Sequence, residues 1–171
     1  MTTSNTPDRP KRTPIPARLI FSDPWCFLAF GFGSGLAPKA PGTFGTLAAI
    51  PVFLLMAHWP LAVYAGVTML LFLLGILICE RCEQRIQVSD HSGIVWDEVV
   101  GLLITLVGAP LSWQSITAGF VLFRLFDILK PWPIRRLDRS VHGGFGIMLD
   151  DAVAGLLAAL CLQGLLPVLG Q

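Results

Sequence analysis

The chain has 171 residues, 54% hydrophobic and 13% charged, with 12 Lys and Arg against 11 Asp and Glu for a formal net charge of +1. A soluble domain carries about a quarter charged residues, so this composition and a mean hydropathy of +0.69 exclude one and predict an all-α, multi-pass membrane bundle. The near-zero net charge gives no basic surface for nucleic acid, and no feature of the chain requires an obligate protein partner.

Residues 1–18 (MTTSNTPDRPKRTPIPAR) hold four Pro and four Lys or Arg with little to bury, and read as a disordered basic tail. No signal-peptide core follows the Met, so the tail is expected to stay attached and inside, beside anionic lipid. Residues 19–171 form one membrane domain. Its first part, 20–36 (IFSDPWCFLAFGFGSGL), is apolar but broken by Pro24 and three glycines, which predicts an interfacial or re-entrant helix from about Pro24 to Phe32. Residues 37–46 (APKAPGTFGT) read as loop.

Five apolar stretches follow, at 44–57, 61–79, 99–111, 114–129 and 148–169, and predict five helices. The first contains Pro51, and it and the third fall short of the ~20 residues that cross a 30 Å hydrocarbon core. Glu80, Arg81, Glu83 and Arg85 suggest that the second helix continues past the bilayer. With the N-terminus inside, the outer loops at 57–61 and 110–115 contain no Lys, Arg, Asp or Glu. Every acid and base then lies on one face, and the Lys/Arg bias makes that face cytoplasmic.

Five carboxylates stand where helices meet that face. Asp97 and Glu98 open the third span (IVWDEVVG), Asp127 lies near the inner end of the fourth (FRLFDILKPWP), and Asp150 and Asp151 open the fifth (GIMLDDAVAG). Taken singly, Asp97, Asp150 and Asp151 read equally well as helix caps or dipole partners. Asp127 does not, because it sits at the helix end that disfavours an anion; Arg124 and Lys130, one turn to either side, make an ion-pair stripe its plainest alternative. Together, acids from three helices at one depth repel unless a cation separates them, and hard oxygen ligands favour Mg²⁺.

Lys39, Arg124, Lys130, Arg135, Arg136 and Arg139 share the inner side with the acids. Metal plus cations suits a phosphate ester. The PGTFGT loop, with Gly42 and Thr43, offers backbone N–H groups and hydroxyls for an anion, although a turn or cap explains it as well; it lacks the Lys of a nucleotide P-loop. His142 is a candidate proton donor to a leaving alkoxide. Cys79 and Cys82 make a single C-x-x-C, too little for a zinc site. Cys79 and Arg85 match C-x5-R only by chance, since ERCEQ has no glycine and two acids.

FGFGSGLAPKAPGTFGTLAAIP, IVWDEVVG, FRLFDILKPWPI and VHGGFGIMLDDAVAG, in this order and spacing, closely resemble the phosphatidylglycerophosphatase A family of bacterial inner membranes, from about Asp23 to the C-terminus. The resemblance implies a Mg²⁺-dependent phosphatase that converts phosphatidylglycerophosphate to phosphatidylglycerol on the cytoplasmic leaflet, and a helical bundle with one helix surrounded by the others. The expected site is a cage of Asp97, Glu98, Asp127, Asp150 and Asp151 around Mg²⁺. Lys39, Gly42, Thr43, Arg124 and Arg135 are expected to hold the phosphate, with Asp97, Asp127, Lys130, His142 and Asp151 acting in catalysis. The segment 20–36 is expected to let the headgroup in sideways. A cation or phosphate transporter built on the same acids is the alternative; a non-catalytic lipid scaffold leaves the acids unexplained.

Overall fold

The structure, a computed structural model, describes residues 15–89, 91–132, 134–136 and 141–170. Among the described residues every regular element is a helix. Of the expected tail, residues 1–14 lie outside the described residues. Ala17 and Arg18 already belong to the first helix, α1 (Ala17–Ser22).

The second helix, α2 (Pro24–Ala29), starts where the sequence places it. Pro24 sits at a first-turn position that needs no N–H, and the Asp23 carboxylate accepts from the backbone N–H of Trp25 at 2.9 Å and Cys26 at 3.2 Å. The other Asp23 oxygen lies 3.3 Å from Arg85 Nε, tying this interfacial segment to α4 (Leu61–Ile86). The expected run to Phe32 stops at Ala29. Phe32 and Gly33 have φ of 60° and 96°, a left-handed pair that no α-helix continues through. A 3-10 segment, Gly31–Leu36, takes over.

The remaining helices are α3 (Pro41–Met56), α5 (Trp96–Thr105), α6 (Trp113–Leu129) and α7 (Gly143–Leu165). Each of the five apolar stretches contributes to a helix, but among the described residues only two helices, α4 with 26 residues and α7 with 23, are long and apolar enough to cross a membrane. At 1.5 Å per residue they reach about 39 and 35 Å. Only 22% of the most apolar window of α4 is buried, and Met69, Leu70, Leu73 and Leu77 are exposed along it. A soluble core helix would cover such residues.

The third stretch departs most from expectation. Its helix, α5, begins at Trp96 and has ten residues, about 15 Å. It ends in a turn with Gly108 at φ 67°. Length is unnecessary because α5 is enclosed, packing against α3, α4, α6 and α7. Its residues Val99, Leu102 and Leu103 join Phe53, Phe123 and Leu162 in the main core. A second core joins α2 to α4 through Cys26, Cys79 and Cys82, which gives the C-x-x-C pair a packing role.

The tightest seam is between α5 and α7. A Cβ on Gly155 would lie 2.6 Å from the Gly101 carbonyl oxygen. Thr105 Oγ1 donates within the same seam, 2.9 Å from Gly101 O and 3.3 Å from Gly155 O. Small residues of this kind let helix backbones approach closely. Gly155→Val should therefore force the two helices apart and cost about 1–3 kcal/mol, the usual effect of overpacking. A lowered thermal midpoint in detergent would show it, whereas Gly164→Val, at a position with open space, should leave the midpoint nearly unchanged.

Candidate active site

Asp97 and Glu98 occupy the first turn of α5, where the helix dipole favours anions. Neither caps the helix: the N-cap is Val95, and no side chain accepts a capping hydrogen bond. Val95 N–H donates to Ala29 O at 2.8 Å, and Trp96 Nε1 donates to Leu71 O at 3.3 Å. These bonds fix the start of α5 against α2 and α4.

Asp150 and Asp151 do not open their helix. The helix α7 starts at Gly143, so the two acids lie two turns inside it. The extra turns form because Gly144 and Gly146 fit where a Cβ would strike the carbonyl oxygens of Ile76 and Val141. The cap interpretation therefore fails for both acids. They are 7% and 3% exposed, a depth at which an acid needs a partner.

Asp97, Glu98 and Asp151 converge. Each offers an oxygen, and the three oxygens lie within 4.8 Å of one another. Asp97 Oδ1, Glu98 Oε2 and Asp151 Oδ2 are buried and accept no hydrogen bond. Three hard oxygen donors, each with a buried lone pair unused, fit a divalent cation such as Mg²⁺.

Asp127 and Asp150 face cations instead. Arg124 Nη1 is 2.5 Å from Asp127 Oδ2 and 3.8 Å from Glu98 Oε1, so it bridges two of the acids. Lys130 Nζ is 2.5 Å from Asp150 Oδ2. The ion-pair alternative raised for Asp127 is thus realised, within the same pocket. Lys130 closes α6 in the left-handed region, φ 41°. That conformation is unusual for a residue with a Cβ, and it turns the chain so that the ammonium reaches α7.

These residues line one cavity of about 580 Å³, together with Pro41, Gly42 and His142. Gly42 is required by proximity, since a Cβ there would collide with Glu98 Oε1 and lie 3.0 Å from Arg124 Nη1. The other phosphate-binding candidates are placed differently. Thr43 directs its N–H to Ala40 O at 3.0 Å, Lys39 is exposed, and none of Lys39, Thr43 and Arg135 lines the cavity. Arg135 Nη2 donates to Leu129 O at 3.3 Å. Arg139 lies outside the described residues. The cavity also takes Glu83 from α4 and His91 and Ser92 from the following loop, residues to which sequence reasoning assigned no role. For His91 and Ser92 the signal was a polar run, SDHSG, shortly before the acids of α5.

Apolar helices close on one cavity that mixes buried acids with cations, an arrangement suited to a helical enzyme acting on phosphate esters. A model of the family described as Phosphatidylglycerophosphatase A matches residues 27–166, and the chain belongs to that family. It is 52% identical over 144 residues to a Phosphatidylglycerophosphatase A of Escherichia coli (strain K12), covering 84% of each chain. It is 48% identical over 145 residues to one of Haemophilus influenzae, covering 84% of this chain and 89% of that one. No solved structure matches the chain. Neither relative is named as a transporter. The hydroxyls of Thr105, Ser112 and Ser115 are engaged within the protein.

Removing Arg124 should leave Asp127 and Glu98 without their shared cation. Breaking one partner out of a buried pair costs about 3–5 kcal/mol, so Arg124→Met should lower the denaturation midpoint in detergent. Asp127→Asn added to Arg124→Met should recover part of that loss. A purely additive pair of effects would show that the two side chains do not interact.

Proposed function

We propose that the protein is a Mg²⁺-dependent lipid phosphatase that hydrolyses the terminal phosphomonoester of phosphatidylglycerophosphate. The products are phosphatidylglycerol and inorganic phosphate. The observation that carries this reading is the convergence of Asp97, Glu98 and Asp151, their buried oxygens unpartnered, beside Arg124 and Lys130. The substrate follows from the names of the relatives. The bundle is read as lying in a bacterial inner membrane, crossing it several times, with the pocket open to the cytoplasm. The one-sided placement of charge supports that orientation.

Asp97, Glu98 and Asp151 would hold the ion. When bound there, Mg²⁺ supplies Lewis-acid polarisation of a phosphoryl oxygen and makes water a better nucleophile. Arg124 and Lys130 bind the remaining non-bridging oxygens. Asp127 and Asp150 orient those two cations and keep them in the pocket when substrate is absent. Glu98 and Gly42 set the position of Arg124, the glycine by leaving room for it. His142, which lines the pocket from the N-cap of α7, donates a proton to the departing glycerol oxygen. Water adds to phosphorus as that P–O bond breaks, so the lipid leaves as an alcohol.

Phosphate release from phosphatidylglycerophosphate by purified protein in detergent tests the reading. Release should stop with excess EDTA and return with Mg²⁺; release that persists in EDTA would remove the metal from the scheme. Asp127→Asn should abolish turnover with the bundle still folded, since Arg124 then loses its orienting acid. Cys79→Ser and Cys82→Ser should retain turnover, and its loss in folded protein would point to a thiol mechanism instead.

A further inference from the structure

We infer that the lipid substrate reaches the pocket through the seam between α3 and α6, with its acyl chains left outside against those two helices. This rests on the lipid-phosphatase reading and gives it a direction of approach. The pocket wall on this side is made by the N-terminal end of α3, at Pro41 and Gly42, and the C-terminal half of α6, at Arg124, Asp127 and Ile128. The pairs α5 with α7, α6 with α7 and α4 with α7 pack extensively, whereas α3 and α6 meet only marginally.

Ile128 marks the mouth, because it lines the cavity and is nevertheless 67% exposed. It continues a stripe with Val121 and Leu125, both exposed, at helical spacings of four and three residues. The stripe runs up to Ile128, one turn beyond Arg124. On α3, Leu47 and Leu54 are exposed at a seven-residue spacing. An apolar ledge on α6 thus runs up to the guanidinium that would hold phosphate, and α3 also carries exposed apolar side chains. That pattern fits an amphipathic occupant with an anionic end: a membrane-resident phosphomonoester whose diacyl part stays on the ledge. The pocket lining also includes Glu83, His91 and His142, polar groups that suit water and released phosphate.

The rival path is the apolar cavity of about 280 Å³ bounded by Phe30, Leu36 and Pro38, which shares Pro41, His91 and Ser92 with the main pocket. It lies on the 20–36 segment, where sideways access was expected from the sequence.

Cross-linking separates the two paths. A benzophenone side chain is placed at Ile128, at Leu36, or at Leu77, an exposed position on α4 that samples bulk lipid. Each full-length variant is reconstituted in phosphatidylglycerol vesicles with a trace of a non-hydrolysable phosphonate analogue of phosphatidylglycerophosphate, labelled in one acyl chain. Label should be enriched severalfold at Ile128 over Leu77, with no enrichment at Leu36. Equal labelling at Ile128 and Leu77, or enrichment at Leu36 alone, overturns the seam. This readout needs no turnover, so an inactive wild type would count against the phosphatase reading alone. In active protein, Ile128→Trp should lower kcat/KM for the lipid by roughly tenfold, mainly through KM, and Leu36→Trp should not.

Discussion

The approach of α7 to α5 at Gly101 and Gly155 is the constraint on which the site depends. With no side chain at either position, the two backbones close until the Gly155 position nearly touches the Gly101 carbonyl. Only at that separation does Asp151, one turn before Gly155, come within ligand distance of Asp97 and Glu98. A larger residue in the seam would move the acids of one helix away from those of the other. The same contact explains how α5 can be so short. A ten-residue helix is marginal alone, and here four neighbours cover it.

Electrostatics then sets the internal order of the pocket. The five acids of α5, α6 and α7 share one cavity and would repel one another strongly. The fold divides them: Asp127 and Asp150 meet Arg124 and Lys130, and the other three share a space of their own. Arg124 joins the two groups because it also faces Glu98. In the proposed mechanism, a phosphate monoester would compete with Asp127 and Asp150 for these cations. The pairing therefore offsets Asp127 and Asp150, leaves Asp97, Glu98 and Asp151 an acidic excess suited to a cation, and keeps Arg124 and Lys130 preorganised.

The sequence made much of this legible, for identifiable reasons. Hydropathy located all five apolar helices, and Asp23-Pro24 located the start of α2, because a capping acid and a first-turn proline act locally. The acids stood out because ionised groups beside apolar runs are costly. The start of α7 was misplaced by about five residues. Gly144 and Gly146 look like loop residues in one dimension, yet they lie in helix where α4 and Val141 leave no room for larger side chains. The same error made Asp150 and Asp151 look like caps. Phe32 and Gly33 ended α2 early through backbone dihedrals that composition does not encode. His91 and Glu83 passed unnoticed because an ordinary polar loop and an exposed helix end look the same as a pocket wall.

By itself, the sequence determined the all-helical class of fold and the inventory of acids and bases, because these follow from hydropathy and residue type along a single chain. Tertiary structure alone decided which three acids converge, which two are held by cations, and that Gly42 belongs to the pocket while Lys39, Thr43 and Arg135 do not. Those outcomes depend on how closely α5 and α7 approach and on the turn at Lys130. Both are set by contacts between residues far apart in the chain.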